Sequence, residues 1–416
     1  MKNHLYYDVI PFWIIVLMPV FLISGPFLSD LGISIISILF IINTKKNKLY
    51  KYYKNIYFKF FSVFCIILIL SSLMSDNIFV SLKKSLFYFR FGIFSLCFWY
   101  LLDRNLHLVK YLFFSILVCF SFLIFDGYFQ YIFGKNIFGY ELYNQFRVSS
   151  FFGSELILGS YIARFFPILF GLFIFLDKLK KNKYMMFVLT IIFILSEGLI
   201  FLSGERLALF FMNLSAIYII VMLNDYKIYR LITYIGSLFL IFILLNVFPN
   251  AKERIIDQTI NDFTKNSIYK FNIFSKPHTD MYITSYKIFL DNKILGVGPR
   301  QFRNICDKYE ISEYSCETHP HNTYLELLSE AGIFAFILVA SLFILICFLS
   351  IKHFFLKLFK INKGIFSDFQ VCIYSAILIS LWPFSPSGSF FNNWMSIVYY
   401  FPVGILLWQQ KKEKRT

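Results

Sequence analysis

Apolar positions along this chain do not alternate, and they do not recur with the spacing of a one-sided helix. They run in blocks, at residues 9–28, 30–43, 57–74, 85–102, 107–125, 151–176, 184–203, 206–223, 229–248, 323–350, 365–384 and 393–409. Most of these approach or exceed the roughly 18–20 residues that a helix needs to cross a ~30 Å hydrocarbon core. Inside lipid the backbone must satisfy its own hydrogen bonds, and unbroken apolar runs of this length do so as helices. The pattern predicts an all-α polytopic membrane protein of about twelve transmembrane helices. Gly25-Pro26 divides the first two blocks as a turn or a kink. The first block has no small-residue cleavage site followed by soluble sequence, so it reads as a span and not as a secretory leader.

The polar stretches between blocks are unequal. Lys45-Lys46-Asn-Lys48 with Lys51 and Lys54, Lys178-Leu-Lys180-Lys181-Asn-Lys183, Lys352 to Lys363, and the terminal Lys411-Lys412-Glu-Lys414-Arg415 fall on one side of a twelve-span trace. Lysine-rich short loops mark the cytoplasm, so both termini are expected there. The other, periplasmic side receives 126–150, the turn Ser203-Gly-Glu-Arg206 and the long stretch 249–322. That stretch holds ten Lys/Arg against nine Asp/Glu, and so lacks the basic excess of the internal loops. The expected organisation is helices one to nine over 1–248, a periplasmic loop at 249–322, and the last three helices with a basic tail over 323–416. Within the loop, 279–290 predicts an amphipathic helix with Met281, Tyr282, Tyr286 and Phe289 on one face, followed by a turn at Gly296-Val-Gly298-Pro299. A loop this long with order of its own usually carries function.

Composition agrees with the membrane reading: 58% of residues are hydrophobic, 56 are Phe, and the mean hydropathy is +0.66. The formal charge of +16 lies largely in the short internal loops, which favours topology over nucleic-acid binding. Five of the seven cysteines (65, 97, 119, 347, 372) fall in apolar blocks and read as small hydrophobes. Cys306 and Cys316 share the external loop and would pair in an oxidising periplasm, the alternative being two free thiols.

Candidate chemistry concentrates on the external side. His319 and His321 stand where the loop re-enters apolar sequence. A loop histidine more often fills a turn, but this pair sits at a membrane boundary next to a capping Asn322 or Thr323, on the side where arginines gather. Histidine is the residue suited to take a hydroxyl proton near neutral pH. Arg206 lies between two apolar blocks; snorkelling or pairing with Glu205 would explain it structurally, whereas a guanidinium fork matches a phosphate or diphosphate. Arg147 precedes the sixth block, within which Glu155 and Arg164 are expected to pair. Arg300 and Arg303 are loop residues that, singly, read as solvated surface. His-x-His has no companion ligands at metal spacing, and no glycine-rich phosphate loop or Asp-x-Asp occurs. A transfer reaction here is expected to need neither metal nor cofactor.

At these residues the chain resembles the O-antigen ligase and polymerase family of bacterial envelope proteins. The resemblance rests on the span layout, the late external loop, and His321-Asn322 followed by nine residues and Gly332. Ala335 stands where that family places a second glycine. Ser203-Gly-Glu-Arg206-Leu-Ala, Arg147-Val-Ser-Ser-Phe-Phe-Gly153 and the segment from Phe289 to Gly298 match weaker family positions. The resemblance covers the chain from about residue 140 onward. It implies inverting transfer of a glycan from undecaprenyl diphosphate to an acceptor hydroxyl, on a lipid A-core for a ligase or on a lipid-linked repeat for a polymerase. The protein would then sit in the inner membrane with its active face periplasmic. His321 would orient or deprotonate the acceptor, and Arg206 would hold the diphosphate and stabilise its developing charge. Arg303, Arg300, Arg147, Asn322 and His319 are expected to bind substrate. Asp280 occupies the place where many relatives carry a second arginine, which makes Arg303, or next Arg300, the expected substitute. The compact motif leans towards ligase. A transporter of lipid-linked sugar also fits intramembrane Arg and Glu, but would place them at mid-membrane, often in a repeat, and no repeat is present.

Overall fold

The structure, a computed structural model, describes residues 2–177, 182–265, 274–361 and 364–413. The basic cluster at 178–181, Lys270, Lys363 and the terminal basic residues 414–415 lie outside them. The described residues are helical, with two isolated bridges and no strand. The helices are α1 (Lys2–Ser24), α2 (Pro26–Asn47), α3 (Ile56–Leu73), α4 (Ile78–Arg104), α5 (His107–Phe133), α6 (Leu158–Asp177), α7 (Lys183–Ser203), α8 (Arg206–Met222), α9 (Lys227–Val247), α10 (Pro249–Lys252), α11 (Gln258–Lys265), α12 (Lys276–Asp291), α13 (Phe302–Ile305), α14 (Thr323–Leu358), α15 (Asp368–Ser380) and α16 (Asn393–Glu413). Nine of these, α1 to α7, α9 and α14, are long and apolar enough to cross a membrane; α8 and α15 are apolar but shorter. This is a multi-pass membrane protein.

Packing sorts the helices by depth in the bundle. α6 and α15 lie against one another and are buried on nearly every face, while α9 buries only Arg230, Ser237 and Leu244 and turns its Ile, Leu and Phe outward. In water such a face would be unstable; in lipid it costs nothing, because the acyl chains are as apolar as the side chains. Gly25, with φ 118, ends α1, and Pro26 opens α2, so Gly25-Pro26 is a turn between two helices and not a kink within one.

Three boundaries differ from the sequence pattern. α5 continues through 126 to Phe133, because its polar end organises the segment after it: Asp126 accepts the Ile137 N–H and the Ser150 hydroxyl, and the Gln130 side-chain oxygen accepts the N–H groups of Ser149 and Ser150. α6 starts at Leu158 and not at 151, since Ser150 (φ 51) and Gly153 (φ 60) hold left-handed backbone ahead of it. Glu155 is therefore an exposed residue before the helix, and the expected Glu155–Arg164 pair is not formed; Arg164 bonds the Ser160 hydroxyl and carbonyl instead. α14 is broken at Gly332 (φ 78), where a Cβ would lie 2.1 Å from the Ile294 carbonyl oxygen. The break frees carbonyls that segment 297–298 uses: Val297 N–H bonds Ser329 O at 2.9 Å and Gly298 N–H bonds Glu330 O at 2.8 Å.

α12 forms where the sequence predicts a helix, but its buried face is Met281, Thr284, Ser285 and Ile288, with Tyr286 exposed. The four aromatic and sulfur-bearing positions suggest a different stripe. Two hydroxyls displace it by bonding inward: Ser285 donates to Leu325 O and Ser329 Oγ, and Thr284 reaches Tyr309 O. Ile288, Val297, Phe302, Ile305 and Cys306 form a small core of their own in the loop, and Cys306 is joined to Cys316.

Candidate functional site

Two clusters occupy the ends of helices on one side of the bundle. The first is built on the turn between α7 and α8. Gly204 (φ 67) caps α7 in the left-handed conformation, leaving the last carbonyls of that helix without helical partners. The segment before α6 supplies them: Arg147 Nε donates to Ser203 O at 2.8 Å and Val148 N–H to Leu202 O at 3.3 Å. Arg147 is thereby almost wholly buried, with its guanidinium also over the Tyr143 ring. Glu205 turns the other way and accepts the N–H groups of Gly159 (2.7 Å) and Ser160 (3.0 Å), capping α6 with a negative charge. Burial still pushes its carboxyl up to about 7, against those amides and the nearby Arg147 and Arg164.

Arg206 points from the first turn of α8 to Thr259 Oγ1 at 3.3 Å. Arg254 completes the cluster. A Cβ on Gly204 would meet Arg147 Nε at 3.0 Å and Arg254 Cγ at 3.2 Å, so the two arginines flank the turn. Burial and Arg206 both disfavour the charged form of Arg147, while Glu205 supports it. Three arginines from three segments thus gather around the turn, with the Arg254 guanidinium donating to Gln258 Oε1 at 2.6 Å. Sequence reading selects Arg147 and Arg206. It counts Arg254 only as a loop charge, because nothing local marks the π-helical turn Glu253–Asp257 that carries it.

The second cluster is the histidine segment. Asn322 caps α14 by accepting the N–H groups of Tyr324 (3.0 Å) and Leu325 (3.1 Å), and its amide donates to Pro383 O and Ser385 O. Both ends of that side chain are committed to backbone, so its contribution is to fix the residue before it. His321 has φ 52, and its carbonyl accepts the Ser387 N–H at 2.8 Å and the Tyr282 hydroxyl at 3.3 Å. A non-glycine residue held left-handed from both sides is a strained position of the kind found at functional sites. Its ring lies 4.0 Å, centroid to centroid, from His319 and 5.6 Å from His278. Burial lowers the pKa of His321 below the usual imidazole value, with Glu317 opposing. His319 is pushed down to about 3, by burial first and then by His321, Arg303 and His278. Both rings are therefore neutral bases near neutral pH. His278, on the first turn of α12, escapes a sequence reading; it is a lone histidine more than forty residues from the motif.

Arg300 and Arg303 sit elsewhere in the network. Arg303 is exposed and within electrostatic reach of His319 and Glu330. Arg300 is exposed with φ 66; Glu330 accepts its N–H at 2.6 Å and that of Phe302 at 2.8 Å. A buried polar path links the two clusters. Arg164 stands in electrostatic reach of Glu205 and of Tyr399, whose hydroxyl is 3.3 Å from Thr323 Oγ1 on the first residue of α14. The arrangement offers neutral bases at one end and cations suited to a diphosphate at the other.

Compared with known families, residues 189–340 match the family model described as O-Antigen ligase. The matched stretch holds Arg206, Arg254, the α12 helix and the histidine segment. No curated protein matches the chain.

Proposed function

Taking residues 189–340 as an O-antigen ligase domain, we propose that the protein transfers a glycan from undecaprenyl diphosphate to a hydroxyl of a lipid A-core acceptor, with inversion, at the periplasmic face of the bacterial inner membrane. His321 takes the acceptor proton. The hydroxyl oxygen attacks the anomeric carbon from the face opposite the diphosphate, the anomeric C–O bond breaks, and its electron pair leaves on the diphosphate. Arg206 and Arg147 hold that leaving group and stabilise its growing charge. Diphosphate is a good leaving group, so charge stabilisation carries catalysis and neither metal nor cofactor is needed. His319, Arg303 and Arg300 line the acceptor side, and Asn322 sets the position of His321.

The observation that carries this reading is the His321 geometry: a neutral imidazole on locked left-handed backbone, inside the ligase-family match that also contains Arg206. The topology that goes with it has twelve spans, with α8, α15 and α16 counted, both termini cytoplasmic and 249–322 outside. The Cys306–Cys316 bond suits an oxidising compartment. Deleting the gene is expected to leave lipid A-core without O-chain on a gel of surface lipopolysaccharide. A core bearing one repeat would mean a polymerase instead, and full-length chains would refute both. Transfer is expected to persist in EDTA.

A further inference from the structure

Outside the arginine turn a basic pair remains: Arg300, given above only a place on the acceptor side, and Lys84, which has no role in that mechanism. Gly298 packs against the α3–α4 corner so closely that a Cβ would lie 2.7 Å from the hydroxyls of Ser75 and Ser81. Gln301 Nε2 reaches Asn77 O there at 3.5 Å. This docks the Arg300 loop on the start of α4, and Lys84 stands one turn on from Ser81. Lys84 is half-buried and donates to Asn393 Oδ1, while the Arg300 guanidinium makes no hydrogen bond or ion pair among the described residues. Glu326 is in electrostatic reach of both, and Asp30 of Lys84, but these carboxylates spend their hydrogen bonds elsewhere. Arg90 is joined to Asp30 at 2.5 Å. Glu326 is turned to the Ser389 hydroxyl and the Phe390 N–H, and Glu330 to two loop amides. With Arg303, three basic side chains face two acidic ones. Like charges brought together at a left-handed, strained arginine cost energy that a bound anion would remove.

The site has a fixed relation to His321. The strand of chain from Ser387 to Asn393 bonds His321 O at one end and Lys84 at the other, touching Glu326 between them. Glu326 and Glu330 lie four and eight residues beyond the Asn322 cap. At 1.5 Å per residue that sets the basic pair on the order of 10 Å along α14 from the base. This is the acceptor side of His321, with the arginine turn reached by the separate path through Tyr399 and Arg164.

We propose that Lys84 and Arg300 form an anion subsite that takes a phosphate carried by the acceptor glycan, so that the enzyme selects a phosphorylated acceptor. The proposal rests on the glycosyl-transfer reading above. The test uses purified full-length protein in nanodiscs, with a lipid-diphosphate-linked glycan as donor and lipid A-core as acceptor, before and after phosphatase treatment. The wild type is expected to prefer the untreated acceptor at least tenfold in kcat/KM. In the Lys84→Gln/Arg300→Gln variant that preference is expected to fall to about one, with the donor KM unchanged. An unaltered preference overturns the proposal, and so does a rise in donor KM alone, which would assign the anion to the donor. Direct binding of the two acceptor forms, read by thermophoresis, separates this from failure of the function itself. If no glycan is transferred by the wild type, the transfer reading falls; the subsite stands or falls on whether the variant loses affinity for the untreated form. Equal melting temperatures for variant and wild type identify the loss as one of recognition.

Discussion

The arginine turn at Ser203–Arg206 and the histidine segment at 318–322 solve opposite electrostatic problems. At the turn, charge is kept: Arg147 is buried but tied to a helix carbonyl, Glu205 is tied to two helix amides, Arg254 packs beside Gly204, and Arg206 reaches Thr259. At the histidine segment, charge is kept out, since burial leaves both rings neutral and His321 lowers His319 further. A group that must bind an anion is assembled from helix ends, whose carbonyls and amides stabilise ions. A group that must accept a proton is held by its backbone alone, with its ring among other rings. The two are built on different elements, and a buried path through Arg164, Tyr399 and Thr323 joins them.

The largest effect tests the neutral end. His321→Ala is expected to lower kcat by about 10²–10⁴-fold without changing insertion, as for loss of a general base; near-normal transfer would end its role. Next comes the charged end. Arg206→Ala is expected to cost about 10²–10³-fold in kcat, on the scale of losing one oxyanion-stabilising donor. Arg254→Ala should cost less, roughly tenfold, and mainly in donor KM. A larger loss at Arg254 than at Arg206 would reverse their ranking.

The third prediction separates the two regions by pH. His321 acts as base when neutral, and its lowered pKa keeps it neutral at pH values where an ordinary histidine is charged. Glu205, raised to about 7, gains a proton below that pH and loses its hold on the α6 amides. Glu205→Gln removes the second titration. The remaining acid limb of kcat/KM is then expected below pH 6.5, the ordinary imidazole value, and a limb above it would contradict a desolvated base. The smallest effect is on stability. Asn322→Ala removes two capping bonds and is expected to cost about 1–2 kcal/mol. It should also lower kcat several-fold by freeing the His321 backbone, read as a fall in melting temperature together with kcat.

Much of this is legible in the chain. Apolar blocks find each long helix, because span length is a property of local composition. The His321-Asn322 spacing and Arg206 are found because they lie in short motifs. Lys84, Arg254 and His278 are not, since packing alone brings them to their partners from α4, a π-helical turn and the start of α12. The α12 face is misjudged for a related reason. Aromatic spacing counts as a stripe in isolation, while the true stripe follows two hydroxyls with specific acceptors. Glu155 and Arg164 look like an intramembrane pair only as long as α6 is taken to begin at 151.

The break at Gly332 also bears on how the molecule assembles. Segment 293–298 is synthesised just before α14, and its three bonds to Ser329, Glu330 and Ile333 close over no more than forty residues. Such short-range closure forms early. The same Glu330 carbonyl accepts the hydroxyl of Ser71, 259 positions away in the chain. The local fold-back thus makes a finished docking face to which a much older part of the polypeptide, the end of α3, is fastened last. A substitution at Gly332 should therefore show itself as a late assembly fault in the amino-terminal half, far from where it was made.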